Sequence, residues 1–283
     1  MKFTMHEILS RPSSLYNEDS AFITDSSAWI LDGASGLADR TFTHSPSDGQ
    51  WFVHQWNEYL QEAITDDSRD LRDIVIEGID TVKDNYFRTI TESNVDPISY
   101  PSSAVVIVRI KDNILEYFIL GDCTLVVESN NTSCKSIVDN RIDAFDSLAV
   151  KEIHNLQKTK RMAFDEARAR TLPLLRKHRS YKNKKNGYWI LEFDKNAVAH
   201  AIYSQEALYG ETYLLLMSDG FAQLSTTFKK TENVAGLLNR AKKDGLNRLY
   251  QEIQEMAKID KECMRFPRLK PLDDASAILL RIA

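Results

Sequence analysis

The chain has 283 residues, 43% hydrophobic and 27% charged, with 36 Lys and Arg against 41 Asp and Glu for a formal net charge of -5. That composition excludes a disordered chain, a collagen and a small disulfide scaffold. A chain of this length buries a large core without help from a metal or a disulfide.

The opening segment, MKFTMHEILS, has no sustained apolar stretch and no small-residue cleavage site, so no secretory signal is expected. Short β-rich runs at 21–24 and 28–31 predict the first strands, followed by helical patterns over 49–64 and 68–92. Strands are expected at 103–110, 115–120 and 124–128, the first two joined by a tight hairpin through 110–114. Further strands are expected at 188–193, 198–203, 213–217 and 275–282. Helices are expected at 234–243 and 247–261, the latter with Leu249, Ile253, Met256 and Ala257 at helical spacing. Paired helices between groups of hairpin-joined strands predict an α+β protein with two antiparallel sheets flanked by helices rather than a βαβ repeat. Without repeats or Pro/Gly-rich linkers, residues 1–283 read as one domain carrying an inserted segment at about 139–186.

No apolar run approaches the roughly 20 residues that cross a bilayer, so no membrane partner is expected. Cys123, Cys134 and Cys263 are scattered and odd in number, which suits a reducing cytoplasm. None of them begins a Cys-x5-Arg loop. With 10 glycines there is no P-loop and no dinucleotide fingerprint.

The chemistry is concentrated in acidic motifs at predicted strand ends: Asn17-Glu18-Asp19-Ser20, Leu31-Asp32-Gly33-Ala34, Ser218-Asp219-Gly220 and Leu272-Asp273-Asp274-Ala275-Ser276. Each alone reads as a turn or a cap. Carboxylates converging from distant segments repel one another, and a divalent cation relieves them. Oxygen donors select Mg²⁺ or Mn²⁺ over zinc.

With Ser102-Ser103-Ala104 and Leu120-Gly121-Asp122-Cys123 added, these motifs run in order through nearly the whole chain. Together they resemble the metal-dependent PPM, or type 2C, serine/threonine protein phosphatases, in their bacterial form. The resemblance implies a four-layer α-β-β-α sandwich with two Mg²⁺ or Mn²⁺ ions at one end. By motif position Asp32 would bridge the ions, Gly33 would lend its carbonyl to one, and Asp219 and Asp273 would hold the other. Glu18 and Asp19 would act directly or through bound water. Asp122 matches a third-metal position in some members, and equally suits a hairpin turn. The implied activity is hydrolysis of phosphoserine or phosphothreonine in a phosphorylated protein partner by a water shared between two ions.

Three departures stand out. Ala34 and Ser35 occupy the turn where eukaryotic members carry a His. Ser13, Ser14, Leu15 and Tyr16 stand where an Arg commonly grips the substrate phosphate, leaving Arg11 as the nearest candidate. Gln223 replaces an acid associated with the third metal. The missing His and Arg keep a second reading open, a pseudophosphatase that binds phosphoproteins without turnover.

Residues 151–185 hold 12 Lys or Arg against three acids, so this segment carries about +9 and the remainder about -14. The 161–172 stretch is helix-forming and Pro173 marks an expected break. The segment corresponds to the family's flap, from which Arg168, Arg170 or Arg176 could contact phosphate. A solvated amphipathic helix is the alternative. Interleaved basic and aromatic residues in 177–185 raise nucleic-acid binding, which overall acidity and the lack of a reading motif argue against.

Overall fold

The computed structural model describes residues 2–38, 40–92, 94–130 and 133–283. Its central strands are continuous apolar runs because both of their faces are covered. In β4 (Ser102–Lys111) every residue but Lys111 is buried. Val105 and Ile107 pack under helices, while Ala104, Val106 and Val108 point into the space between two sheets. That sheet runs β2 (Asp19–Ile23), β3 (Ser27–Ala34), β4, β5 (Ile114–Leu120) and β8 (Ile202–Ala207). The second sheet runs β1 (Phe3–Arg11), β10 (Ala275–Ile282), β9 (Thr212–Met217), β6 (Thr124–Ser129) and β7 (Ser133–Ile137). All ladders are antiparallel.

Helices α1 (Asp48–Ala63) and α2 (Leu71–Thr89) cover the first sheet, capped by Ser47 and Asp70. Helices α5 (Asp219–Thr226), α6 (Gly236–Asp244) and α7 (Leu246–Ile259) cover the second. This is the expected sandwich of two antiparallel sheets between helical layers. The remaining helices, α3 (Asp143–Lys160) and α4 (Phe164–Arg179), lie between β7 and β8 in sequence. They pack on each other and on Cys263 through Ile153, Phe164 and Ala167. Among the described residues no helix is long and apolar enough to cross a membrane.

Several elements differ from expectation. Strand β1 was hidden because it buries only Leu9, and β7 because SCKSI is polar. Residues 188–193 form isolated bridges at Tyr188 and Leu191 instead of a strand. Their aromatics serve packing: Phe193 sits 5.0 Å from Tyr86 and 5.7 Å from Phe52, centroid to centroid. The strand expected at 198–203 is a 3-10 turn over Lys195–His200, capped by Asp194, and β8 begins at Ile202. Pro173 does not break α4, since the carbonyl it leaves unpaired, four residues earlier at Ala169, is on the exposed side. Arg161 lies outside both helices, in a left-handed turn at φ 55° that ends α3.

One buried ion pair braces the α1–α2 side. Arg109 and Glu116 are 1% and 2% exposed, and Glu116 Oε2 accepts from Arg109 Nε at 2.9 Å and Nη2 at 2.7 Å. Arg109 Nη1 also donates to the Asp66 carbonyl at 3.1 Å. Glu116 Oε1 accepts from Leu71 N at 3.0 Å and the Tyr203 hydroxyl at 2.8 Å. The pair therefore satisfies the end of one helix and the start of the next. Arg109→Met strands a buried carboxylate, and denaturant unfolding should show a loss of about 3–5 kcal/mol. A loss below about 1 kcal/mol would mean that water reaches Glu116.

Candidate metal centre

Strand register brings the acidic motifs together. In the β2–β3 ladder Asp19 lies directly opposite Asp32, a cross-strand pairing of like charges that is unfavourable on its own. Asp219 is the first residue of α5, just past the end of β9, and Asp273 immediately precedes the Asp274 that leads into β10. Because β9 and β10 are neighbours, with Met217 opposite Ala277, their two motifs emerge side by side. The sheets meet where Asp219 N donates to Asp32 Oδ2 at 3.4 Å. Asp122 occupies the turn by which the chain leaves β5 for β6 in the other sheet.

A polar lattice holds these segments. Asp274 accepts from Ser13 N, Ser13 Oγ and Glu18 N, each at 2.7 Å, so it fixes the loop that carries Glu18. Ser276 N donates to Ser218 Oγ at 2.9 Å, and Asn17 Nδ2 to Ser10 Oγ at 2.8 Å. The Ser35 hydroxyl donates to Glu18 Oε1 and accepts from Gly49 N at 3.0 Å. Gly33 N donates to the Glu18 carbonyl at 3.0 Å, and a β-carbon on Gly33 would overlap that carbonyl oxygen. Close approach of two backbones thus demands glycine here.

Burial first, and then crowding, raises the carboxyl pKa values. Burial lifts Asp19 to about 8, the Ser218 hydroxyl opposing and the charges of Asp273, Asp274 and Asp219 adding to the rise. Asp32 is pushed well up by burial, then by Asp19 and Asp219. Asp219 reaches about 6 through burial and Asp273, with Lys270 pulling it down. Asp122 is raised well up by burial, Asp219 and Asp146. Asp146, on α3, reaches about 7 through burial and the charges of Asp219, Asp143 and Asp273. These groups feel one another as a single cluster of negative charge.

The residues present fit divalent ions. Asp19 Oδ2 is enclosed and has no hydrogen-bond partner, which leaves a hard oxygen free to bind. Among the described residues no group of three or more His, Cys, Asp or Glu side chains stands close enough together to hold a metal ion by direct contact alone. Coordination would therefore run partly through water, as Mg²⁺ prefers. Asp32, Asp122, Asp219 and Asp273 line a cleft of about 630 Å³ together with Asp146, Arg179 and Lys270, and Asp19 lies behind Asp32. A larger depression, about 830 Å³ and lined by Lys229, Lys230 and Lys243, has Glu232 as its one carboxylate among the described residues.

The arginines singled out from the sequence stand elsewhere. Arg11 is exposed and reaches Ser10 O and Asn247 Oδ1 at 3.5 Å. Arg168 Nε donates to the Leu269 carbonyl at 3.1 Å, Arg170 is exposed, and Arg176 reaches the Leu37 carbonyl at 3.3 Å. None of the four lines the cleft. Five charged residues that do line it were missed: Asp143, Asp146, Arg179, Arg268 and Lys270, the last of which donates from Nζ to Asp273 Oδ1 at 2.6 Å. Asp143 and Asp146 lie just before the net-basic stretch 151–185, so the inserted segment offers acids as well as a base to the cleft. The Lys270 signal was its spacing, three residues before Asp273 in the same loop.

This architecture is the PPM-type phosphatase fold. No protein-family model matches the sequence, and no curated protein matches it. Solved structures do. The Mycobacterium tuberculosis serine/threonine phosphatase PstP/Ppp aligns with a TM-score of 0.58 at 12% identity, covering 99% of this chain and 98% of that one. The catalytic domain of the serine/threonine protein phosphatase PstP in complex with two manganese ions aligns at 0.54, with the same identity and coverage. Staphylococcus aureus serine/threonine phosphatase Stp1 aligns at 0.56 and 14% identity, over 99% of this chain and 96% of that one. At such identities the likeness is one of fold.

Proposed function

We propose that the protein is a Mg²⁺- or Mn²⁺-dependent phosphatase that hydrolyses phosphate monoesters, with phosphoserine and phosphothreonine in proteins as its substrates. The observation that carries this is the convergence of Asp32, Asp219 and Asp273 on one cleft, with Asp19 buried opposite Asp32, in a fold shared with serine/threonine phosphatases. When bound, two divalent ions supply an activated water in line with phosphorus and neutralise charge on the phosphoryl oxygens.

The chain's own residues do the rest. Asp32, from the centre of the cluster, would be shared between the ions, with the Gly33 carbonyl beside it. Asp219 and Asp273 would hold one ion from the second sheet, and Asp19 and Glu18 would face the other directly or through water. Asp122 and Asp146 stand on the side of Asp219, where a third ion would be held. Lys270, hydrogen-bonded to Asp273, balances part of the negative charge. The α3–α4 pair forms a flap beside the cleft, and no nucleic acid is part of the function.

Purified protein assayed on p-nitrophenyl phosphate and on a phosphothreonine peptide should turn over with Mn²⁺ or Mg²⁺ and stop with chelator. Calorimetric metal binding with no turnover on either substrate would instead support a phosphoprotein-binding pseudophosphatase. Failure to bind either ion would remove the metal centre altogether.

A further inference from the structure

Arg179 is the last residue of α4 and lines the cleft alongside Asp32, Asp146 and Asp273. Its hydrogen bonds run through Nη2, to the carbonyls of Ala34 at 3.3 Å and Ser35 at 2.6 Å and to Ser102 Oγ at 3.4 Å. Its Nε is fully enclosed and has no hydrogen-bond partner. Other enclosed cations each have a carboxylate: Arg109 has Glu116, Arg268 has Asp260 at 2.9 Å, and Lys182 has Glu192 at 3.4 Å. Among the described residues Arg179 has no such ion pair. Arg179 as a whole is half-buried, and a partly desolvated guanidinium with no carboxylate beside it is costly, a cost that a ligand bringing the missing charge would relieve. The three oxygens bound by Nη2 fix the guanidinium over the turn that follows Asp32-Gly33, against which the reacting phosphorus would lie. The other cations of the cleft are already committed, Lys270 to Asp273 and Arg268 to Asp260.

We propose that Arg179 binds the phosphoryl group of the substrate, the role for which Arg11 was the candidate by sequence position; this rests on the phosphatase reading of the cleft. A phosphate monoester is a dianion, and a guanidinium whose Nη1 has no hydrogen bond among the described residues offers it a charge-assisted one, with the delocalised positive charge beside it. A substrate contact thus comes from the inserted helical pair rather than from the loop before Glu18. Insertion and metal centre are then two halves of one site, with the carboxylates gathering cations and Arg179 receiving the anion.

Inorganic phosphate is the probe, titrated into the Mg²⁺-loaded full chain. Calorimetry should show Arg179→Met weakening phosphate binding about 10- to 100-fold, while Mg²⁺ affinity stays within about twofold of wild type. In the wild type labelled with ¹⁵N-arginine, the Arg179 Nε resonance, assigned by its absence in Arg179→Lys, should shift and saturate with phosphate. Should Arg179→Met fail to fold or lose Mg²⁺, that resonance in the wild type decides alone. Equal phosphate affinity in Arg179→Met, an unmoved resonance while phosphate binds, or no phosphate binding by the wild type at millimolar concentration overturns the proposal. The two readings fail separately. A chain that binds phosphate through Arg179 yet turns nothing over loses the phosphatase function and keeps this site, whereas metal-dependent turnover with Arg179 unmoved does the reverse.

Discussion

Asp32→Asn is expected to lower metal-dependent hydrolysis of p-nitrophenyl phosphate by about 10³-fold or more, and at the same time to raise the melting temperature of the chelator-treated protein. The first effect follows from losing the carboxylate that both ions would share, which removes several kcal/mol of transition-state stabilisation. The second follows from the register. Asp32 lies opposite Asp19 in the β2–β3 ladder, and each carboxyl is held away from its charged form by burial and by its neighbours. Asparagine has the same shape and no charge, so it ends the repulsion without leaving a cavity. Each kcal/mol recovered should raise the melting temperature by about 2–4 °C at neutral pH. Opposite signs for activity and stability separate this site from ordinary core damage, in which both fall together. A lower melting temperature for Asp32→Asn in chelator would show that the carboxylate is stabilising without metal, and the crowding argument would fail.

The fold was legible wherever burial forces a pattern. Continuous apolar runs such as 103–110 and 213–217 could only be strands covered on both faces, and β4 and β9 stand there. Strands at the sheet margins were not legible. FTMHEILSR forms β1 by pairing with β10 while burying only Leu9, and its backbone hydrogen bonds leave no trace in side-chain periodicity. The run at 188–193 fails for the opposite reason. Tyr188, Ile190, Leu191 and Phe193 are apolar because they are buried against neighbouring elements, Phe193 on α1 and α2 and Tyr188 on α3, a demand that hydrophobicity shares with strand formation.

The site divides along a similar line. Asp19, Asp32, Asp219 and Asp273 were readable because each sits at a strand boundary whose place in the sheet follows from the chain, so topology alone brings them to one end. Asp146 and Arg179 depend on how two helices fold back over that end. Nothing within α3 or α4 says which of their charges turns inward. Arg168, Arg170 and Arg176 are chemically as suited to phosphate as Arg179, and only the packing of Phe164 and Ala167 on Ile153 and Cys263 selects among them. Net charge also misled: +9 over 151–185 describes the solvent face of the pair, while the cleft receives one arginine and at least one carboxylate from it.

The same crowding makes stability depend on pH in a direction opposite to acid denaturation. In the unfolded chain these carboxyls release their protons near 3.8, whereas in the folded protein Asp219 does so at about 6, Asp146 at about 7 and Asp19 at about 8. Between those limits the folded state binds more protons than the unfolded one, so its stability falls as pH rises. Differential scanning fluorimetry in chelator should show a melting temperature that declines steadily from pH 5 to pH 8. Saturating Mn²⁺ should remove the decline, because metal binding displaces those protons and compensates the charge that remains. The stabilisation by metal should be greatest at the alkaline end, roughly 5–10 °C at about 100 times the dissociation constant, and should shrink toward pH 5 as protons compete for the same oxygens. Asp19→Asn should flatten the chelator profile by removing the group that, of these three, holds its proton to the highest pH. A melting temperature in chelator that rises between pH 5 and pH 8 would mean that the carboxylates are paired within the protein, and the case for an ion at their centre would go with it.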